Sequence, residues 1–267
     1  MDHRSVVYVV AGVLFFTTLG ILAWRFWKKT SEKADRQSKR LKMQMTSNIA
    51  HELRTPVTSI RGYLETLLAC PDMAPDKKQA FLERAYNQTL RLSDLISDMA
   101  LITKIEESPE KLAKEDVDIY DVAVEVFDEF ADRIANKRVK VENMLKPGII
   151  VSGNRTLVYS IIRNLVENSL KYAGDEITLH LERYSRIDKL HYFIYYDTGR
   201  GVPEEHLERI FERFYRVQEG RSRDDGGSGL GLSIVRNSVV FHGGDIKVMN
   251  RQDGGLQFLF TLRRKSS

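Results

Sequence analysis

Ser47-Asn48-Ile49-Ala50-His51-Glu52-Leu53-Arg54-Thr55-Pro56 lies within a run whose apolar residues, Met45, Ile49, Leu53, Val57, Ile60, Leu64 and Leu67, recur at steps of four and three. That spacing predicts one helix with a single apolar stripe. On its wheel His51 falls about 160° from the Leu53/Ile60 stripe, so its imidazole faces solvent. By default an exposed histidine is an ordinary surface residue. Here Glu52 stands beside it, and a carboxylate within reach can accept the Nδ1 proton and leave Nε2 the better nucleophile. Thr55 lies one turn on, on the same face, and Pro56 cannot donate to the carbonyl of Glu52, which should bend the helix. A zinc-protease reading of His-Glu needs a second histidine where Thr55 stands, which excludes it. On its own the His51-Glu52 pair fits a nucleophile and a surface pair equally.

Two prolines within Cys70-Pro71-Asp72-Met73-Ala74-Pro75 end this helix, and a second is expected from about Asp76. Its stripe of Leu82, Ala85, Thr89, Leu92, Ile96, Met99 and Ile102 is nearly heptad, the pattern of a bundle seam. Two helices with one stripe each cannot enclose a core. Two copies are therefore expected to pair as a four-helix bundle, making the chain a homodimer. Glu106-Glu107-Ser108-Pro109-Glu110 breaks the pattern, and beyond it strands and helices alternate. Ile177 to Glu182, Leu190 to Tyr196, Asp245 to Asn250 and Gln257 to Leu262 read as strands. Thr156 to Tyr172 and Gly231 to Phe241 read as helices, the second closed by His242-Gly243-Gly244. This is an α+β domain of roughly 155 residues, a common size for one domain.

Upstream, Val6 to Trp24 is a run of 19 residues without a charge, the lower end of what crosses about 30 Å of hydrocarbon. Ala23-Trp24-Arg25-Phe26-Trp27 is unlike a signal-peptide cleavage site, and its tryptophans suit a membrane interface. The expectation is an N-terminal transmembrane helix, with the basic cluster after it placing the C-terminal side in the cytoplasm. About five residues remain outside, too few for an extracellular sensing domain. Sensing is then expected to depend on a partner membrane protein or on the helix itself. The predicted organisation is an anchor over 1–27, a juxtamembrane helical linker over 28–44, the helical hairpin over 45–107 and the α+β domain over 112–267.

The net charge of +4 suggests nucleic acid until it is located. Between Arg25 and Lys42 eight basic residues face only Glu32 and Asp35, so the remainder of the chain is slightly acidic. No direct nucleic-acid partner is expected. Cys70 is the sole cysteine, which rules out an internal disulfide and a thiolate metal cluster.

A histidine nucleophile for phosphoryl transfer needs a nucleotide site, and neither G-x-x-x-x-G-K-[ST] nor the H-R-D and D-F-G pair is present. Three other segments converge. Arg163-Asn164-Leu165-Val166-Glu167-Asn168-Ser169-Leu170-Lys171-Tyr172 places Asn164, Asn168 and Lys171 on one helical face. Amide oxygens are neutral hard ligands suited to Mg²⁺ on a polyphosphate, although a solvated polar face reads the same way. Asp197-Thr198-Gly199-Arg200-Gly201 follows a strand, so Asp197 can accept the exocyclic amine of adenine, or the segment is a simple turn. Gly226-Gly227-Ser228-Gly229-Leu230-Gly231 precedes a helix, where free amides hold phosphate. It lacks the Rossmann spacing.

In order and spacing these segments resemble the H, N, G1 and G2 boxes of the sensor histidine kinases of two-component systems, and Ile210-Phe211-Glu212-Arg213-Phe214-Tyr215-Arg216-Val217 resembles their F box. The similarity covers about residues 38 to 265, and the first box is similar to the phosphate-regulon type. The resemblance implies a dimerisation and phosphotransfer hairpin joined to an ATPase domain of the gyrase-like Bergerat fold. It also implies residue roles. His51 would be the phospho-acceptor and Glu52 its base, with Thr55 beside them. Asn168 and Asn164 would hold Mg²⁺, Lys171 and Arg216 would meet phosphates, and Tyr172 would flank the nucleotide. Asp197 would read adenine with Gly199 and Gly201 beside it. Gly227, Gly229, Leu230 and Gly231 would shape the phosphate loop, and Val217 to Gly226 a mobile lid. Thr198, where many members have Asn, is a common variant. The implied reaction is ATP-dependent phosphorylation of His51, followed by transfer to an aspartate of a separate response regulator with a receiver domain. The implied place is the cytoplasmic membrane, single-pass, with the catalytic part in the cytoplasm. Two rivals stand beside it: an inactive nucleotide-binding scaffold, and an enzyme acting mainly as a phosphatase on its partner.

Overall fold

The computed structural model describes residues 24–29, 47–217 and 227–265. The expected membrane span from Val6, most of the linker over 28–44 and positions 218–226 of the expected lid lie outside them. Among the described residues no helix is long and apolar enough to cross a membrane. The chain divides into two compact units, residues 1–55 and 56–267.

The first unit is helical over 24–29, where Trp24, Phe26 and Trp27 are exposed. It is helical again from 47, the start of α1, which runs to 69. The proline at 56 therefore sits inside α1 without ending it.

In the second unit the helix stops where Cys70-Pro71 withdraws a backbone donor, and α2 (Pro75–Glu107) begins with proline at its first turn. Tyr63 and Phe81 meet edge to face across the hairpin, ring centroids 5.8 Å apart. Ala85, Leu95, Ile102 and Ile105 are the buried residues of α2, whereas Leu82, Tyr86, Leu90 and Ile96 stay exposed.

The remainder is a sheet covered on one face by helices. β1 (Glu115–Asp118) pairs antiparallel with β3 (Ile150–Gly153). The main sheet has the order β2-β4-β5-β7-β6, from β2 (Lys140–Asn143), β4 (Thr178–Ile187), β5 (Leu190–Asp197), β6 (Ile246–Asn250) and β7 (Leu256–Arg263). Strict alternation along β5 and β7 buries every second residue, the signature of a sheet with one covered face. Phe193 and Phe260 stack at 5.2 Å on that face. They share one core with Val158, Ile161 and Leu165 of α5 (Arg155–Tyr172), Val122 and Val126 of α3 (Ile119–Glu129), and Val235 and Val239 of α7 (Gly231–Phe241). Each such side chain, fully buried, contributes about 2 kcal/mol. The short helices α4 (Ala131–Asn136) and α6 (Glu204–Leu207) lie in the connections.

His242 fixes the start of α5. Its ring is buried, Nδ1 donates to the Ser238 carbonyl (2.6 Å), and Nε2 accepts from the Asn154 amide (3.0 Å). Asn154 in turn caps α5, its Oδ1 accepting from the Leu157 amide. A side chain at Gly153 would strike that ring. A distant histidine thus holds the helix that carries both asparagines.

Candidate active site

Within the first unit His51 is exposed, with 65% of its side chain accessible, and Glu52 Oε1 lies 3.9 Å from Nδ1. That separation is an ion-pair distance, longer than a hydrogen bond. The Thr55 hydroxyl donates to the main-chain carbonyl of His51 (3.3 Å), a back-bond of the kind threonine makes inside helices. Its lone pairs remain available.

The second unit gathers the other predicted residues around three elements: the C-terminal half of α5, the end of β5, and the loop entering α7. Asn164 and Asn168 sit one turn apart on α5 and face different duties. Asn164 Nδ2 donates to the Ser160 carbonyl (2.8 Å), and its Oδ1 would lie 2.6 Å from a Cβ placed on Gly231. It therefore seats the start of α7. Among the described residues the Asn168 amide has no hydrogen-bond partner. Lys171 Nζ pairs with Glu167 Oε1 (2.6 Å), and Arg163 Nη1 pairs with the other carboxylate oxygen (3.0 Å). Burial works to raise the Glu167 carboxyl, but Lys171 and Arg163 outweigh it and the net is downward.

Tyr172 closes the loop from the other side: its hydroxyl accepts from the Gly227 amide (3.1 Å), and its carbonyl accepts from Arg200 Nε (2.9 Å). Gly229 has φ +71, and a Cβ there would lie 2.8 Å from Phe214 Cα, while the Phe214 amide donates to the Gly229 carbonyl (2.9 Å). Only glycine allows both the left-handed backbone and that approach. Leu230 is fully buried, anchoring the loop, and α7 starts without a side-chain cap. Its free amides suit an anion. Arg216 lies one residue before the end of the described segment that stops at 217.

Asp197 is 2% exposed. Its Oδ1 accepts from the Gly199 amide (2.9 Å) and the Leu256 amide (3.3 Å), and its Oδ2 accepts from the Ser169 hydroxyl (2.8 Å). A side chain at Gly199 would collide with Ala173, and one at Gly255 would lie 1.9 Å from the Asp197 carbonyl. Gly201, at φ +67, packs against Asn250, whose amide brackets Val202.

Several participants escape a reading of the sequence. Ser169 is the detectable one, a polar residue within the buried stripe of Leu165, Val166 and Leu170. Asp98 is another. Helix α2 lies against α7, and the Ser228 hydroxyl of the glycine-rich loop donates to Asp98 Oδ2 (3.3 Å), while Arg213 pairs with Glu106. Burial first, then Glu167 and Asp94, push the Asp98 carboxyl up to about 6 against the opposing pull of Ser228 and Arg163.

A carboxyl raised on burial favours the protonated form. Its stabilising contribution is complete below about pH 4, its ordinary range, and is lost as the pH rises through 6. Asp98→Asn should therefore be more stable than wild type at pH 7.5, by on the order of 2 kcal/mol, with the gap clearly narrower at pH 5 and closed only below about pH 4. Thermal unfolding at both values measures it. A gap that does not change with pH would show that the charge of Asp98 is not what opposes the contact.

Two family models match the chain: the His Kinase A (phospho-acceptor) domain over residues 29–108, and the Histidine kinase-, DNA gyrase B-, and HSP90-like ATPase over residues 153–266. The chain is similar to sensor histidine kinase WalK of Bacillus subtilis, 29% identical over 248 residues, which is 92% of this chain and 40% of WalK. It is similar to phosphate regulon sensor protein PhoR of Pseudomonas aeruginosa, 29% identical over 222 residues, 83% of this chain and 50% of PhoR. The chain thus spans about half the length of these relatives. Among solved structures, histidine kinase ThkA in complex with response regulator protein TrrA is similar with a TM-score of 0.65 and 24% identity, over 83% of this chain and 61% of that one. At that identity the likeness is one of fold.

Proposed function

The chain belongs to the sensor histidine kinases, with a phospho-acceptor hairpin followed by a gyrase-like ATPase domain, and on that premise we propose that it phosphorylates His51 from ATP and passes the group to an aspartate of a separate response regulator. The observation that carries the reading is Asp197, a carboxylate buried to 2% exposure and held by three donors, with an acceptor position left over for an adenine amine. Among the described residues, Lys171 and the uncapped amides entering α7 suit phosphates, and Asn168 has an unengaged amide. That amide fits Mg²⁺, which would offset negative charge on the transferring phosphoryl group. Asn164 is committed to α7 and is the weaker ligand.

Glu52, 3.9 Å from Nδ1, is close enough to take up its proton after a small rotamer change. Nε2 then attacks the γ-phosphorus, and ADP leaves. The resulting phosphoramidate is reactive enough to supply a receiver aspartate. A homodimer follows from the exposed apolar stripe of Val57, Leu64, Leu82 and Ile96 on the hairpin, which a second copy would cover. The exposed Trp24, Phe26 and Trp27 fit a membrane interface at the cytoplasmic end of a single span.

Incubation with ATP labelled in its γ-phosphoryl group tests the reading: acid-labile, alkali-stable label on the protein is expected. Label stable to acid, or none, would overturn it.

Thr55 separates two activities sharing one helix face. Dephosphorylating the partner requires a water held in line with the phosphorus, and the Thr55 oxygen can accept from one while its proton goes to the His51 carbonyl. Thr55→Ala should keep most of the autophosphorylation and lose about tenfold of the phosphatase rate, the worth of one hydrogen bond of about 1.4 kcal/mol. An equal fall in both rates would assign Thr55 to the helix alone.

A further inference from the structure

Behind Asp197 runs a buried chain of hydroxyls that meets no solvent. Tyr195, two residues earlier on β5, is fully buried, and its phenol lies 3.1 Å from Ser169 Oγ and 3.3 Å from the Leu165 carbonyl. Ser169 Oγ is 2.8 Å from Asp197 Oδ2. The direction of donation in this chain is fixed at one end. An ionised carboxylate only accepts, so the single proton of Ser169 points to Asp197 and its oxygen is left to accept from Tyr195. Burial raises the Tyr195 phenol far above its ordinary range, so it stays a donor.

Counting lone pairs gives the consequence. Oδ1 is filled by the Gly199 and Leu256 amides, and Oδ2 has one position taken by Ser169. What remains is one acceptor position, and no proton to give. We propose that Ser169 and Tyr195 are positioning residues that lock Asp197 as a pure acceptor, so that the site takes a purine bearing a 6-amino group and rejects one bearing a 6-oxo group. This rests on the reading of Asp197 as the group that meets the base. A 6-oxo purine would set its oxygen against a carboxylate oxygen, leaving two buried acceptors facing each other. Without Ser169 the carboxylate keeps only its Oδ1 anchors, and Oδ2 is free to turn or take up a water.

Titration calorimetry of the full chain in detergent with ADP and with inosine diphosphate tests this, because the two differ at the 6-position that matters. Wild type should prefer ADP. Ser169→Ala should weaken ADP about tenfold, the size of one hydrogen bond to a charged group, and leave inosine diphosphate within about twofold. Tyr195→Phe should move the ratio in the same direction by about threefold. Ser169→Thr, which keeps the hydroxyl, should restore the wild-type ratio. Equal weakening of both nucleotides, or an unchanged ratio in Ser169→Ala, would overturn the proposal by reducing Ser169 to packing.

Asp197→Asn separates this from the underlying reading. Its oxygen must face the two amides, which puts its NH₂ toward the base and should shift preference to inosine diphosphate. If Asp197→Asn alters ADP binding while Ser169→Ala alters nothing, only the relay fails. If Asp197→Asn leaves ADP binding untouched, the base is read elsewhere and both fail.

Discussion

His51→Gln is expected to abolish labelling from ATP while leaving ADP affinity and thermal unfolding at wild-type values. Glutamine keeps a polar side chain of similar reach, but its amide nitrogen is delocalised into the carbonyl and cannot form a phosphoramidate. The loss should therefore exceed about a thousandfold, a barrier increase above about 4 kcal/mol. Stability should hardly move, because the side chain is 65% accessible and touches little, and surface substitutions of that kind stay within about 0.5 kcal/mol. Glu52→Gln should fall between the two. It removes the proton acceptor 3.9 Å from Nδ1 but leaves the nucleophile. Filter-bound label per chain, measured beside ADP binding on the same preparations, decides the matter. Undiminished label on His51→Gln would place the acceptor on another residue.

Elements set by local periodicity were legible. Helix α7 runs over Gly231–Phe241 as expected, and α5 begins one residue earlier than the pattern suggested, because Asn154 caps it. β5 and β7 run one residue past their predicted ends, β6 keeps its predicted end and starts one residue later, and β4 extends well beyond its own where hydrogen bonding continues after the hydrophobic alternation fades. That extension takes in Tyr184 to Ile187, with a bulge between Arg183 and Ser185. The segment from 112 to 154 gave no residue-level prediction. Its strands are four residues long and α4 only six, lengths at which periodicity barely registers, whereas α3 buries Ile119, Val122, Ala123 and Val126 at helical spacing, a pattern the sequence did carry. Glycines announced the loop before α7 and the turn after β5, but their reasons are tertiary: Gly229 yields to Phe214, Gly231 to Asn164 and Gly199 to Ala173. The same limit hid Tyr195 and Asp98, whose partners lie 26 and 130 residues away along the chain. No spacing rule joins residues so distant. Asn164 shows the converse. Its place on the helix face with Asn168 suggested a shared duty, and only the seating of Gly231 against its Oδ1 separates them.

Asn168→Asp should lower autophosphorylation by more than about tenfold, roughly 1.4 kcal/mol or more in barrier. The substitution is nearly isosteric, so packing of α5 against the sheet is unchanged and the effect is electrostatic. Asparagine offers a neutral oxygen, which suits a cation whose charge is already balanced by phosphates. Aspartate adds a negative charge on the helix face that already carries Glu167, whose carboxylate occupies Lys171 at 2.6 Å. The new charge competes for Lys171 and repels the phosphates, and both act more strongly during transfer, when negative charge spreads over the phosphoryl oxygens. ADP affinity without Mg²⁺ should drop as well, since repulsion alone requires no metal. Asn164→Asp should behave differently. Its amide donates to the Ser160 carbonyl and its oxygen backs Gly231, so losing the donor should weaken the seat of α7 and show first in thermal unfolding. Rates at saturating ATP, nucleotide affinities with and without Mg²⁺, and melting curves for both variants separate these effects. If Asn168→Asp keeps more than about a tenth of the wild-type rate, this asparagine does not serve the transferring phosphoryl group.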